Sequence, residues 1–322
     1  MAAAVRRMLA ALLILPGTSL VAQTAASPAD TVKLTFAWPA NVTMPVVATK
    51  YRENLSDGNG DTTRSGLRYR FGLREHPEGF EVLTSDLEVD GLDASDSSTA
   101  AQVARLTALI PSYIVNPEGD FKGLSDPARL RMGIDSLMAP VRAELRAASP
   151  GADSLLMEML SAEMLASSVA QEWNALVGFW VGAELEVGSA YEFEQVERIP
   201  LFGGIDLPMR YEFGVVERTA CDSSATEERC VDLVVVSEPD DSVATRLIAT
   251  VMAKLLPPGA VIADTGRRLT IRNTVHLVAD PATLRPYHLL MTREIDLALL
   301  VDGTPSTGHR LDVRESWYAE EK

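Results

Sequence analysis

The chain has 322 residues, with 45 Asp and Glu against 29 Lys and Arg, a formal charge of −16 and a pI near 4.7. That balance argues against a nucleic-acid binder, which needs a clustered basic surface to displace counterions. A hydrophobic content of 47% argues against disorder, because enough apolar surface exists to offset the entropy of ordering the chain.

The first residues place Arg6-Arg7 before the apolar run Met8 to Leu15, then Pro16-Gly17 and a small-residue stretch ending Leu20-Val21-Ala22-Gln23. A basic start, a short apolar run and a small residue at the end form the pattern of a secretory signal peptide over 1–22. The run is far shorter than the ~20 residues that span a bilayer, so a transmembrane anchor is not expected. Cleavage is expected after Ala22, with Ala26 as the alternative, leaving 23–30 as a flexible start and an exported, periplasmic or secreted, protein. No cysteine lies near either point, which argues against a lipid-anchored N-terminus.

Period-two alternation predicts strands over Val32–Trp38, Met44–Asn54, Arg64–Leu73 and Phe80–Val89, separated by turn compositions such as Ser56-Asp-Gly-Asn-Gly-Asp61 and His76-Pro-Glu-Gly79. Leu67-Arg-Tyr69-Arg-Phe71 has one apolar and one charged face, as in a sheet solvated on one side. A helix is predicted from Ser97 to about Ile110, behind a Ser/Asp-rich start suited to capping. A short extended piece follows over Tyr113–Val115 and Gly119–Gly123.

Two longer helices come next. Pro127 to Ala148 carries Leu130, Ile134, Leu137, Val141 and Leu145 at helical spacing, and a second helix runs from Asp153 to about Val177. The second is apolar nearly all round, the mark of a helix covered on more than one side. Strands resume over Ala190–Arg198, Met209–Thr219 and Cys230–Ser237, then a helix over Asp241–Leu256, then strands over Arg268–Val278, Pro286–Leu300 and Thr307–Tyr318.

The two halves read alike. Leu67-Arg-Tyr-Arg-Phe-Gly72 matches Met209-Arg-Tyr-Glu-Phe-Gly214, and each is followed by a turn, a strand, a capped helix and a further extended segment. The alternative is a chance likeness between two amphipathic hairpins. The layout expected is α+β: large curved antiparallel sheet(s) from two similar halves, 31–125 and 187–318, joined by helices over 126–177 within a single unit over 31–322.

Cys221 and Cys230 flank the polar segment Asp-Ser-Ser-Ala-Thr-Glu-Glu-Arg between two strands, so a disulfide closing a hairpin mouth is expected. Metal and catalytic constellations are not found. Asp57-Gly-Asn59-Gly-Asp61 opens like a calcium loop, but Thr62 and Arg68 occupy the positions that need Gly and a bidentate carboxylate, so a hairpin turn is expected instead. His76, His276, His288 and His309 show no metal-ligand spacing, and the chain has neither a nucleophile elbow nor a phosphate-cradling loop. No cofactor, metal or catalytic residue is therefore expected.

The apolar stretch around the second long helix is more informative. Leu156, Met157, Leu160 and Met164, followed by Trp173, Phe179 and Trp180, combine adaptable methionines with large aromatics and are candidates for the lining of a hydrophobic cavity under a curved sheet. The plain alternative is a core helix. The abundant carboxylates fall on alternate strand positions and helix backs, and are read as solubilising the outside of a thick core.

An exported acidic chain, a long amphipathic antiparallel sheet and apolar helices on one face together resemble the bacterial lipoprotein-carrier superfamily. The chain is also similar to exported β-rich families of the same build, with a turn like Asn116-Pro-Glu-Gly119 before a strand and a segment like Asp280-Pro-Ala-Thr-Leu-Arg-Pro286 before the last hairpin. The resemblance implies a half-barrel holding acyl chains against helices. The expected function is thus non-catalytic binding of a lipid or other apolar small molecule, or of a partner. A filled interaction module and an enzyme with no recognisable motif are the alternatives.

Overall fold

The computed structural model describes residues 30–57, 59–90, 107, 109–148, 150–199, 204–222, 227–247, 267–301 and 304–319. The signal-peptide segment, most of the helix expected over 97–110 and the second half of that expected over 241–256 lie outside the described residues. Residues 241–247 are helical.

One antiparallel sheet dominates. Its strands are β2 (Thr43–Ser56), β3 (Asn59–His76), β4 (Gly79–Val89), β5 (Tyr113–Val115), β6 (Phe121–Leu124), β8 (Ala190–Ile199), β9 (Ile205–Thr219), β10 (Cys230–Pro239), β11 (Arg268–Asp280), β12 (Arg285–Val301) and β13 (Thr304–Tyr318). They lie in the order β6-β5-β4-β3-β2-β13-β12-β11-β10-β9-β8. A separate two-stranded ribbon pairs β1 (Thr31–Lys33) with β7 (Glu184–Glu186). The helices are α1 (Pro127–Ala148), α2 (Pro150–Met159) and α3 (Ala162–Trp173), and α3 continues into a π-helical turn, Asn174–Gly178.

Both halves contribute to the single large sheet. The quartet β5-β4-β3-β2 and the quartet β11-β10-β9-β8 run through it in the same order, separated by β13 and β12. Each quartet is a meander in which the chain leaves after the third strand and returns as the fourth. The central β2–β13 pairing joins strands from opposite ends of the sequence, from Tyr318↔Val46 to Gly308↔Ser56. Residues on β3 and β9 line one cavity. Six strand spacings separate those strands, ~29 Å on a flat sheet, so the sheet must curl for both to face one cavity.

Two expectations need correction. The segment expected as one helix from Asp153 to Val177 is two helices, because Ser161 takes an extended conformation and its hydroxyl accepts from the Met164 N–H, starting α3 afresh. The strand expected over Val32–Trp38 pairs as a strand only at Thr31–Lys33. Beyond it the chain is an extended strap, with Leu34 N–H donating to Ala183 O and Thr35 and Ala37 N–H to Pro281 O and Thr283 O. Here the partners are loops rather than a sheet edge, although Leu34, Phe36 and Trp38 alternate inward as the sequence implies.

The strap's inward side chains join Trp173 in an aromatic cluster, with Phe36, Trp38 and Tyr113 each edge-on to its indole at 5.6–5.8 Å. The indole N–H donates to Gly119 O at 2.7 Å. Gly119 has φ +91, and a Cβ there would press on Phe36 and Val177 at 3.1 Å, so the Asn116–Gly119 turn requires glycine. At the other end of the helices, Asp153 accepts from Arg142 at 2.9 Å and Arg146 at 2.7 Å, tying α2 to α1. Those guanidinium bonds hold its carboxyl below the usual carboxylate range.

The disulfide forms as expected. Cys221 and Cys230 are bridged with a Cα–Cα distance of 5.0 Å beside Tyr287, at the mouth of β9 and β10. The Ser56 turn is also a hairpin: β2 and β3 close at Ser56↔Asn59, and the Asp57 carboxylate caps the neighbouring Thr307 N–H at 2.8 Å.

Candidate functional site

The register across the sheet stacks the helix-facing side chains in rows. The deepest row reads Leu67, Ala48, Ser316, Leu289, Leu277, Leu233, Val215 from β3 to β9. From Ala48 onward it is fully buried and forms the core beneath the helices.

One step along each strand, the next row reads Ser65, Lys50, Arg314, Met291, Val275, Val235, Phe213. Its character changes abruptly between Arg314 and Met291, from cationic to apolar. A further step gives Thr63, Arg52, Asp312, Arg293, Asn273, Ser237, Tyr211, a polar row. A cavity of about 670 Å³ lies over these two outer rows. That is within the range of small-molecule sites.

The helical wall is supplied by the end of α3 and the π turn, through Gln171, Glu172, Asn174, Ala175 and Phe179. The wider turn, in which Phe179 N–H donates to Asn174 O at 3.0 Å, lets Asn174, Ala175 and Phe179 line the cavity while Trp180 enters the core. Phe179 packs on Tyr211 at 5.4 Å, and Tyr211 stacks on Phe193 at 4.7 Å. Burial, together with the Glu197 carboxylate that accepts from its hydroxyl, pushes the Tyr211 phenol well above its ordinary pKa.

The charged floor is uneven. Four cations, Lys50, Arg52, Arg293 and Arg314, face the cavity with three carboxylates, Glu172, Glu197 and Asp312. The surplus is positive inside a chain of net charge −16. Arg52 pairs with Asp312 at 2.5 Å, which also accepts from Arg310 at 2.7 Å. Arg314 pairs with Glu172 and donates to the Tyr69 hydroxyl at 3.3 Å, while its buried Nε has no partner among the described residues. Arg64 lies over the Tyr51 ring at 5.2 Å.

Lys50 and Arg293 make no ion pair or hydrogen bond among the described residues. Both are exposed to solvent, although atoms of the cavity walls surround their charged groups. Burial, then the Arg314 and Arg52 guanidiniums, lower the Lys50 pKa, and Glu172 only partly offsets this. Burial and Arg310 likewise lower that of Arg293, against Asp312.

Of the apolar residues singled out from the sequence, Phe179 lines the cavity. Trp173 and Trp180 are completely buried, each with its indole N–H bonded to a backbone carbonyl, so they support the wall from behind. Leu156 and Met157 on α2, Leu160 in the turn after it and Met164 on α3 are half-buried and are not part of the cavity lining. The lining is built chiefly from strand positions instead. The Lys50 and Arg52 side chains share a strand face with Val46 and Ala48, and that same-face run from apolar to cationic is the signal the sequence offered. The strand carboxylates Asp312 and Glu197 line the cavity too, which corrects the reading of the carboxylates as solubilising only the outside.

The histidines stand apart from the cavity. His276 lies 3.7 Å from Asp232, and His288 stacks on Trp317 at 3.9 Å and meets Glu315 at 3.0 Å, all on the opposite, convex face. His309 meets Asp296 at 2.9 Å near Glu294, three groups close enough to hold a metal ion at the exposed end of the β12–β13 hairpin. The Asp296 carboxylate raises the His309 pKa. No helix among the described residues is long and apolar enough to cross a membrane. No protein-family description matches the chain, and comparison with characterised proteins finds no match.

Proposed function

We propose that the protein is exported and binds an apolar small molecule in the cavity between the sheet and the α3–π-turn wall, without chemistry of its own. The observation that carries this reading is the cavity's apolar side, where Met291, Val275, Val235, Met209, Leu207 and Phe179 surround one open space of ligand size. Side chains destined only for a core would close over such a space, because interiors pack to crystal density. The basic and apolar start of the chain and the Cys221–Cys230 bridge support export to an oxidising compartment. The likeness of the sheet-and-helix layout to lipoprotein carriers points the same way, at the level of architecture.

Native mass spectrometry of the protein purified from its own compartment tests the reading. The expected spectrum holds an adduct that organic extraction removes, and the stripped protein takes up the apolar dye N-phenyl-1-naphthylamine at one site. A clean mass together with no dye uptake would sink it and favour a filled interaction module.

A further inference from the structure

The cationic side of the cavity gathers like charges at neighbouring strand positions. Lys50 and Arg314 sit directly opposite each other on β2 and β13, and Arg293 lies diagonally beyond on β12. Like charges directly opposite in a sheet destabilise it. Elsewhere many cations are matched: Arg142 and Arg146 clasp Asp153, Arg74 meets Glu81, Arg218 grips Asp30 through two bonds of 2.7 and 2.8 Å, and Glu238 holds Arg210 and Arg272. An acidic chain has carboxylates to spare, yet among the described residues none is in contact with Lys50 or Arg293, and Glu172 pairs with Arg314 while reaching Lys50 only at a distance. Unpaired like charge gathered at the edge of an apolar cavity is a local conflict of the kind that marks function.

We infer that the cavity takes an amphiphile with one oxyanion head, a carboxylate or phosphate seated among Lys50, Arg314 and Arg293, and a hydrocarbon chain lying over Met291, Val275 and Val235. This rests on the apolar-ligand reading above and adds the class of ligand. The row order sets the ligand's direction, since the same step along the strands is cationic on β2 and β13 and apolar on β12, β11 and β10. An anion there relieves the repulsion between the three cations and takes the charge-assisted hydrogen bonds they can offer. The fatty tail gains affinity by leaving water, which is independent of the head.

Four probes sharing a twelve-carbon chain separate the parts: dodecanoate, dodecyl phosphate, dodecanol and dodecyltrimethylammonium, each titrated below micelle formation by calorimetry. At least one of the two anionic probes should bind about 10-fold or more tightly than dodecanol, the worth of a charged hydrogen bond, and whichever binds tighter distinguishes carboxylate from phosphate recognition. In the double variant Lys50→Gln/Arg293→Gln that preference should collapse while dodecanol affinity is unmoved. Arg293→Lys should keep it, and so should Arg68→Gln on the convex face, with far-UV circular dichroism confirming each fold. Equal binding of dodecanol and the anions, tighter binding of the ammonium probe, or a preference that survives the double variant would each overturn the oxyanion head and leave the apolar cavity standing. If none of the four probes binds, the apolar-ligand reading itself fails.

Discussion

The two flanks of the curved sheet meet the cavity with opposite chemistry. On β2, β13 and β12 the floor is Lys50, Arg52, Arg314 and Arg293; on β11, β10 and β9 it is Val275, Val235, Met209 and Tyr211. The apolar flank is ordinary, since its residues continue the buried row beneath them and Val275, Val235 and Met209 are themselves nearly buried. The cationic flank continues the same buried row, Val46 and Ala48 on β2 and Tyr318 and Ser316 on β13, and then turns to charge on the same face. The difference teaches that the cavity is not a packing defect. A void left by poor packing would be lined by the same kinds of residue all round.

The sharpest way to break the contrast is to remove the wall both flanks face. Trp173 is fully buried beneath the strap and bonded to Gly119, and Trp173→Ala should cost about 3–5 kcal/mol. Urea unfolding measures it, and a loss under about 1 kcal/mol would mean that the strap and α3 do not hold the wall.

The flanks also differ in how they are fastened. The apolar one carries the Cys221–Cys230 bridge at its β9–β10 mouth, and the cationic one is held by strand pairing and cross-strand ion pairs such as Arg52–Asp312. On chain-entropy grounds a loop this short contributes about 2–3 kcal/mol. Cys221→Ser/Cys230→Ser should lose that much, and amide exchange should quicken in β9 and β10 while β2 and β13 stay protected. Equal quickening across the sheet would show that the two flanks unfold as one.

The smallest effect has the opposite sign. Lys50→Gln removes a cation facing Arg314, with Arg52 two residues along the same strand and only Glu172 in partial compensation, and should raise stability by about 0.5 kcal/mol at neutral pH. The pH dependence follows from the lowered Lys50 pKa. As pH rises toward the unfolded lysine value near 10.4, the unfolded chain binds more protons than the folded one, so wild-type stability rises relative to the variant and the gap closes. Thermal melts from pH 7 to 10.5 read this, and a gap that widens with pH would show that Lys50 is stabilised by a partner.

Much of the fold was legible. Period-two alternation located the long strands within a few residues of their ends, as at Phe80–Val89 against Gly79–Val89, and Pro127 and the Ala148 end of α1 were found directly. The α2–α3 break was missed because the segment is apolar on all sides, which hides a change of axis. Ser161, with an acidic Glu163 in the turn after it, was the available sign.

The candidate site was legible only in Phe179 and the supporting tryptophans. Methionines and leucines at helical spacing on α2 and α3 drew attention because apolar runs stand out in one dimension. Lys50, Arg293 and Arg314 did not, since a single charge on a strand looks the same whether its face meets solvent or a concave wall.

The amino-acid sequence by itself determined the alternation of the long strands, the helix of 127–148 and the hairpin disulfide, because these depend on neighbours close along the chain. Only the tertiary structure decided that both halves share one sheet, that β2 closes against β13, and that the sheet curls so β3 and β9 face the same space. Strand order and curvature arise from pairings between distant segments, and no local pattern records which of many similar strands will be neighbours. The acidic balance of the chain gave no hint of a cationic cavity for the same reason: net charge sums over residues, whereas a site depends on which of them the fold brings together.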